Sequence, residues 1–183
     1  MRKIAQRGFT LVEMLIVIVI LGIVAIVAIP LLSSNDPQKL NVAAEETANT
    51  LRFAISETKR TNGYVLVDGQ TTAGRLKLYY SDINANLGAA INDPLTKRSS
   101  DLNVTSSAFS QGVTLTPQFR GGGQVRALLL IDPTLSNMKA PTSIGGGVGP
   151  GIALQANSGV LLTLGSQSVT VSINQTTGLV TLP

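Results

Sequence analysis

The sequence predicts an α+β protein in which a long N-terminal helix, transmembrane in its first half, packs on an antiparallel β-sheet domain. Three observations lead to this prediction. Residues 9–29 form a largely apolar run with one charged residue, a glutamate. Residues 38–60 repeat apolar side chains at steps of three and four, which is the period of an amphipathic helix. After residue 63, short β-type runs alternate with turn-forming residues, which is typical of an antiparallel sheet.

The apolar segment is long enough to cross a bilayer once. As a helix, residues 9–29 would extend about 31 Å, and the hydrocarbon core of a bilayer is about 30 Å thick. The residues ahead of it carry three bases and no acid: Arg2, Lys3 and Arg7. Basic residues favour the cytoplasmic side of a membrane. We therefore expect a single-pass protein of the inner (cytoplasmic) membrane, with its N-terminus in the cytoplasm and its C-terminal domain outside.

One carboxylate interrupts the apolar segment, at Glu13. An acidic side chain at the centre of a membrane helix costs about 2.5–3.5 kcal/mol, so such a residue is a functional-site hypothesis with a partner to be named. If the chain is cut after Gly8, the new α-amine of Phe9 lies about one helical turn from Glu13 and is within reach of a neighbouring chain.

The GFTLVE run that begins at Gly8 resembles the prepilin peptidase processing site of type IV pilins and type II secretion pseudopilins. The resemblance implies a type IV pilin-like fold, cleavage between Gly8 and Phe9, N-methylation of Phe9 and a role for Glu13 in assembly. Gly22 and Pro30 fall where many family members loosen this helix. The implied partners are other pilin or pseudopilin subunits, the prepilin peptidase/methyltransferase and the inner-membrane assembly platform, with a periplasmic or extracellular filament as the product.

The predicted organisation has four parts. Residues 1–8 are a cleaved leader, 9–32 a transmembrane and assembly helix, 33–63 the extramembrane half of the N-terminal helix, and 64–183 a β-rich globular domain. Asp36 and Pro37 give a helix start, and Asn62-Gly63 gives a C-cap. The stripe expected to pack on the sheet consists of Leu40, Ala44, Ala48, Leu51, Ile55 and Thr58.

Eight strands are predicted in the globular part. Two long polar segments, 81–110 and 132–150, are interpreted as loops. The predicted strands are residues 64–68, 75–81, 113–119, 125–131, 152–155, 160–164, 169–173 and 179–182.

Two further stretches, residues 51–67 and 169–180, resemble the minor pseudopilin H group. This resemblance implies a minor pseudopilin of a type II secretion system. A minor type IV pilin, including a DNA-binding pilin in natural transformation, and a major pilin remain open as alternatives.

Charge composition argues against nucleic acid as a partner. Charged residues make up 13% of the chain. Without residues 1–8, the 14 Lys and Arg fall to 11, against 10 Asp and Glu. Arg120 and Arg126 flank a glycine run and make a weak phosphate-binding candidate, with no aromatic between them for base stacking. A hairpin tip is the favoured interpretation, and DNA is not expected to bind.

A calcium loop is a second weak candidate. Asp82, Asn84, Asn86 and Asp93 occupy positions one, three, five and twelve, but position six is Leu87 where an EF-hand has glycine. An Asn/Asp-rich turn is favoured. The sequence contains no cysteine and no histidine, which excludes disulfides, His/Cys zinc sites and histidine-dependent triads. We expect neither a cofactor nor an enzymatic activity.

Overall fold

The computed structural model describes residues 11–33, 36–94, 96–105, 107–145 and 152–183. The chain forms two compact units, residues 1–35 and residues 36–183. The first unit contains helix α1, Leu11–Ser33. The second contains helix α2, Asp36–Thr61, and all the strands.

Helix α2 starts and stops where the capping residues predict. It begins at Asp36, followed by a proline at a position where the missing N–H is not needed. At its end Asn62 adopts a left-handed φ of 49°. The N–H of Gly63 donates to the carbonyl of Thr58 at 3.3 Å. This is the Schellman arrangement, with asparagine in the position that glycine more often occupies.

In the part of the chain that the structure describes, ten strands follow α2, and every pairing between them is antiparallel. They are β1 Tyr64–Asp68, β2 Arg75–Ser81, β3 Leu87–Ala90, β4 Asp101–Asn103, β5 Thr114–Gly121, β6 Gln124–Arg126, β7 Leu128–Ile131, β8 Ser158–Leu164, β9 Gln167–Ile173 and β10 Val180–Thr181. One sheet has the order β3-β2-β1-β7, with β4 also on β2, and the other has the order β10-β9-β8-β5-β6. The predicted α+β class is confirmed, with two sheets.

The segment predicted as a loop at 81–110 contains two strands, so that prediction is wrong. Both strands pair with the same edge of β2, β3 opposite Tyr79 and β4 opposite Arg75. Between β3 and β4 the chain leaves the edge of β2 and then returns to it. The N–H of Ser100 donates to the carbonyl of Ile91 at 2.7 Å, which joins the two ends of this loop. The sequence does not show these strands because β3 is exposed on both faces and has no apolar alternation.

Two other strand predictions need correction. The run 125–131 divides into β6 and β7, which belong to different sheets. The run 152–155 forms only isolated bridges. In one, Ala153 pairs with Lys139, which itself pairs with Leu130 of β7; in another, Leu154 pairs with Gly121 of β5. Together these isolated bridges connect the edge of one sheet with the other sheet.

The core lies between α2 and the two sheets. Helix α2 contacts strands of both sheets, among them β1, β8 and β9. The predicted stripe is buried except for Ile55, which is half-buried. Four further residues of α2 are buried beside it: Ala43, Thr47, Ala54 and Glu57.

Candidate assembly surface

Helix α1 presents an apolar surface that the chain itself leaves open. Every side chain from residue 11 to residue 24 is exposed, and Glu13 in the first turn is the charged one among them. A carboxylate in the first turn is favoured by the partial positive charge of the helix N-terminus. A continuous exposed apolar surface of this kind marks a contact with lipid or with another protein.

The residues predicted for processing and helix flexibility are only partly covered by the structure. Gly8 and Phe9 lie outside the described residues, so the predicted cleavage site and the predicted partner of Glu13 do as well. At Gly22 an added Cβ would meet nothing within 4 Å. Helix α1 continues past position 30 to Ser33. Within the described part of the chain, no helix combines the length and the apolar character that crossing a membrane requires.

The predicted calcium ligands are divided between two turns. The carboxylate of Asp82 accepts bonds from its own turn: the Nδ2 of Asn86 at 2.7 Å, the N–H of Asn86 at 3.1 Å and the N–H of Asn84 at 2.9 Å. The bonds from Asn86 hold the pKa of Asp82 below its usual value. Asp93 instead accepts from the N–H of Thr96, at 2.9 Å.

The geometry around Asp82 agrees with the favoured Asn/Asp-rich turn, and strand β3 separates the two acidic calcium candidates. Strand β3 lies between Asp82 and Asp93, and its four residues extend about 13 Å. A twelve-residue loop must fold back so that its first and last ligands meet at one ion. Among the described residues no group of three acidic, histidine or cysteine side chains could hold a metal ion.

The two candidate arginines lie on a tight hairpin, as predicted, but do not form one patch. Arg126 is opposite Phe119 in the β5–β6 pairing and Arg120 is opposite Val125, so the two arginines point to opposite faces. The Nε of Arg120 donates to the carbonyl of Asn157 at 3.3 Å. The Nη1 of Arg126 donates to a backbone carbonyl at 3.0 Å. Each guanidinium thus contacts its own chain.

Comparison with known proteins finds a family that matches the N-terminal segment. The family described as "Prokaryotic N-terminal methylation motif" matches residues 3–29, which include the glycine–phenylalanine pair, Glu13 and most of the apolar helix. The N-terminal segment of the chain thus matches the N-terminal motif found in type IV pilins.

The chain is also similar to a curated protein over a longer stretch. The chain is 42% identical over 69 residues to a protein named "Fimbrial protein" from Moraxella nonliquefaciens. The match covers 38% of this chain and 44% of that protein, so the chain spans less than half the length of its relative. No solved structure matches the chain.

A buried carboxylate, which the sequence analysis did not single out, joins α2 to the sheet. Glu57 is only 6% exposed. Its carboxylate accepts bonds from the hydroxyl of Tyr80 and from the Nε of Arg60, the latter at 2.8 Å. The bond from Arg60, with that from Tyr80, lowers the pKa of Glu57. The bond to Glu57 and burial raise the pKa of Tyr80. Glutamates on a helix usually face water, and nothing in the sequence distinguishes this one.

Two exposed apolar features of the globular unit were also missed. The first is Phe109, 74% exposed in the segment between β4 and β5. The second, here called the α2–β10 groove, includes Leu179, which is 62% exposed. In the sequence, the available signal for Phe109 is that it is a single aromatic residue within a serine-rich segment. The α2–β10 groove is lined by Arg52, Ile55, Ser56, Lys59, Thr177, Gly178, Leu179 and Val180.

Proposed function

We propose that the chain is a structural subunit of a type IV pilus-like filament, held in the inner membrane by residues 9–32 before assembly. The observation that carries this proposal is the exposed apolar surface of α1, interrupted by the carboxylate of Glu13. A matched N-terminal methylation motif over the same residues supports it. The compact unit of residues 36–183 then serves as the exposed body of the subunit.

The proposed pathway follows from the order of the segments. Prepilin peptidase cuts the leader, residues 1–8, after Gly8 and methylates Phe9. The assembly platform moves the subunit from the membrane into a bundle of like helices, where lipid is replaced by apolar side chains. Glu13 then pairs with the Phe9 amine of an adjacent subunit, because an opposite charge lowers the cost of a carboxylate in an apolar bundle. Gly22 and Pro30 allow α1 to adjust as it packs.

Two machines are candidates for this subunit. A minor pseudopilin of a type II secretion system is supported by the resemblance of residues 51–67 and 169–180 to the pseudopilin H group. A type IV pilin is supported by the similarity to a protein named as fimbrial. Deleting the gene distinguishes them: loss of protein secretion with surface fibres intact indicates the pseudopilin, and loss of fibres indicates the pilin.

The processing step gives a direct test. Mass spectrometry of the mature full-length protein should show an N-terminus at methylated Phe9. Gly8→Val should leave the chain uncut and absent from sheared filaments, because a branched side chain blocks the position before the cut. Ala5→Val, a similar change within the leader, is the control and should be processed. A mature wild-type protein that still begins at Met1 would overturn the proposal.

A further inference from the structure

We propose that Phe109 of one copy docks in the α2–β10 groove of a second copy, and that this contact repeats along the filament. The inference rests on the proposed function in its type IV pilin form, in which copies of this chain follow one another in the filament, since it names the contact between consecutive globular units. Its partner is a second copy of this chain. Three properties of the two features support it: their ordered geometry, their opposite charges and their positions on α2.

Phe109 is held outward by bonds on both sides of it. The hydroxyl of the buried Ser110 donates to the carbonyl of Val104 at 3.0 Å. The N–H of Ser110 donates to the carbonyl of Ser107 at 3.3 Å, and the N–H of Val113 donates to the carbonyl of Ser110 at 3.1 Å. A large aromatic exposed on an ordered segment loses little conformational freedom on binding. Aromatic residues, phenylalanine among them, are enriched at protein interfaces.

The α2–β10 groove is already formed in the single chain. A Cβ at Gly178 would lie 3.7 Å from the Cδ1 of Ile55, so the β9–β10 turn sits directly on α2. Asn174 fixes this turn, because its side chain accepts two backbone N–H groups at 2.9 Å. On the helix side the Nη2 of Arg52 donates to the carbonyl of Val180 at 3.2 Å. A preformed apolar groove of this kind accepts a ring without the entropic cost of ordering itself first.

The charges beside the two features are opposite. Next to Phe109, the carboxylate of Glu46 lies 3.4 Å from the hydroxyls of Ser107 and Ser110. At the groove, Arg52 and Lys59 contribute two cations. Docking would therefore bring an aromatic ring and a carboxylate to an apolar groove with a basic rim. The cations can interact with the carboxylate and with the face of the ring.

The two features lie at different positions along α2, so the contact can repeat from one copy to the next. Glu46, beside Phe109, and Ile55, in the groove, are nine residues apart, which is about 14 Å along the helix and about half a turn around it. The two features therefore lie on opposite flanks of α2 at different heights. A contact between two different patches is heterologous, and it forms an open helical array when the rotation between copies does not close a ring.

Disulfide crosslinking of the full-length protein in assembled filaments tests the contact, because the wild-type chain has no cysteine. Cells that produce Phe109→Cys and Ser56→Cys as separate copies should give a disulfide-linked dimer under mild oxidation. A chain carrying both changes should give a ladder of dimers, trimers and higher species. Val125→Cys with Ser56→Cys is the matched control. Val125 is also exposed, at 50%, but lies on the β5–β6 hairpin, and this pair should give no product.

Truncation of the ring gives an independent measurement. Phe109→Ala should reduce the amount of the subunit in sheared filaments on the order of tenfold, with cleavage and thermal stability unchanged. Val125→Ala is the control and should leave the amount unchanged.

The outcomes separate the contact from the proposed function. The contact is overturned if Phe109→Ala leaves filaments at the wild-type yield and no disulfide forms between positions 109 and 56 of the two cysteine variants. This result leaves the proposed function intact. A Phe109→Cys dimer without Ser56→Cys, or a crosslink to a different protein, also overturns the contact. A wild-type chain absent from filaments overturns the proposed function as well.

Discussion

The hydroxyl of Tyr80 in β2 donates a hydrogen bond of 2.5 Å to the carboxylate of Glu57 in α2. Arg60, one turn further along the helix, donates to the same carboxylate. Both bonds favour the ionised glutamate, so its pKa in the folded protein lies below the ordinary value. The stabilisation is complete above the unfolded-state pKa of about 4.3 and is lost as the pH falls through the lower folded-state pKa.

Glu57→Gln should destabilise the globular unit by about 1–3 kcal/mol at pH 7, because the buried charge is removed and the amide nitrogen that replaces one carboxylate oxygen cannot accept the bond from the Nε of Arg60. It should also flatten the decline in stability between about pH 5 and pH 3. Urea denaturation followed by circular dichroism at several pH values measures both effects. Glu45→Gln, on an exposed position of the same helix, is the control and should change neither. Equal pH profiles for wild type and Glu57→Gln would show that the buried carboxylate is not responsible for the acid sensitivity.

Gly159→Ala should destabilise the same unit by about 3 kcal/mol. A Cβ at this position of β8 would lie 2.1 Å from the carbonyl oxygen of Val171 in β9. The obstacle is backbone, which cannot move without disturbing the β8–β9 pairing. Gly63→Ala is the control, because its nearest atom is a threonine side-chain oxygen at 3.4 Å. Comparison of the two melting temperatures checks the prediction, and equal values would contradict it.

Residues 36–183 should fold without α1. The core residues of α2 pack on strands of its own unit, and the chain divides after residue 35. A fragment beginning at Asp36 should therefore be soluble and melt in one cooperative transition by circular dichroism. Aggregation without such a transition would show that the exposed apolar features of this unit need other subunits to cover them.

Glu13→Ala should reduce incorporation into filaments about tenfold while cleavage after Gly8 continues. Removing the carboxylate lowers the cost of membrane insertion but also removes the proposed pair with the Phe9 amine of the next subunit. The ratio of protein in sheared filaments to protein in membranes measures this, with the mass of the same sample as the check on cleavage. Val12→Ala is the control. Wild-type incorporation of Glu13→Ala would exclude this charge pair from assembly.

Local signals in the sequence were enough to place several elements. Strands β1 and β2 have the predicted bounds, because their β-type residues are bordered by turn residues. The helix end at Asn62 follows from a capping preference. The Arg120–Arg126 hairpin follows from its glycines, of which Gly122 and Gly123 have φ of 61° and 76°.

Non-local contacts account for what the sequence did not show. Strand β3 exists because the edge of β2 offers hydrogen-bonding groups, and no periodicity of its own marks it. The division of 125–131 between two sheets depends on partners far away in the chain. At the candidate site, Glu13 is visible as a charge in an apolar run. The groove beside Leu179 arises only when β10 comes to lie on α2.

Helix α2 lies against strands of both sheets along its length, and this arrangement determines how the subunit would bear tension. A pulling force transmitted through the residues before 36 would enter the globular unit at Asp36, the first residue of α2. Because α2 contacts β1, β8 and β9, the packing of this one helix on both sheets would resist that force. The chain contains no cysteine, so no disulfide shares the load.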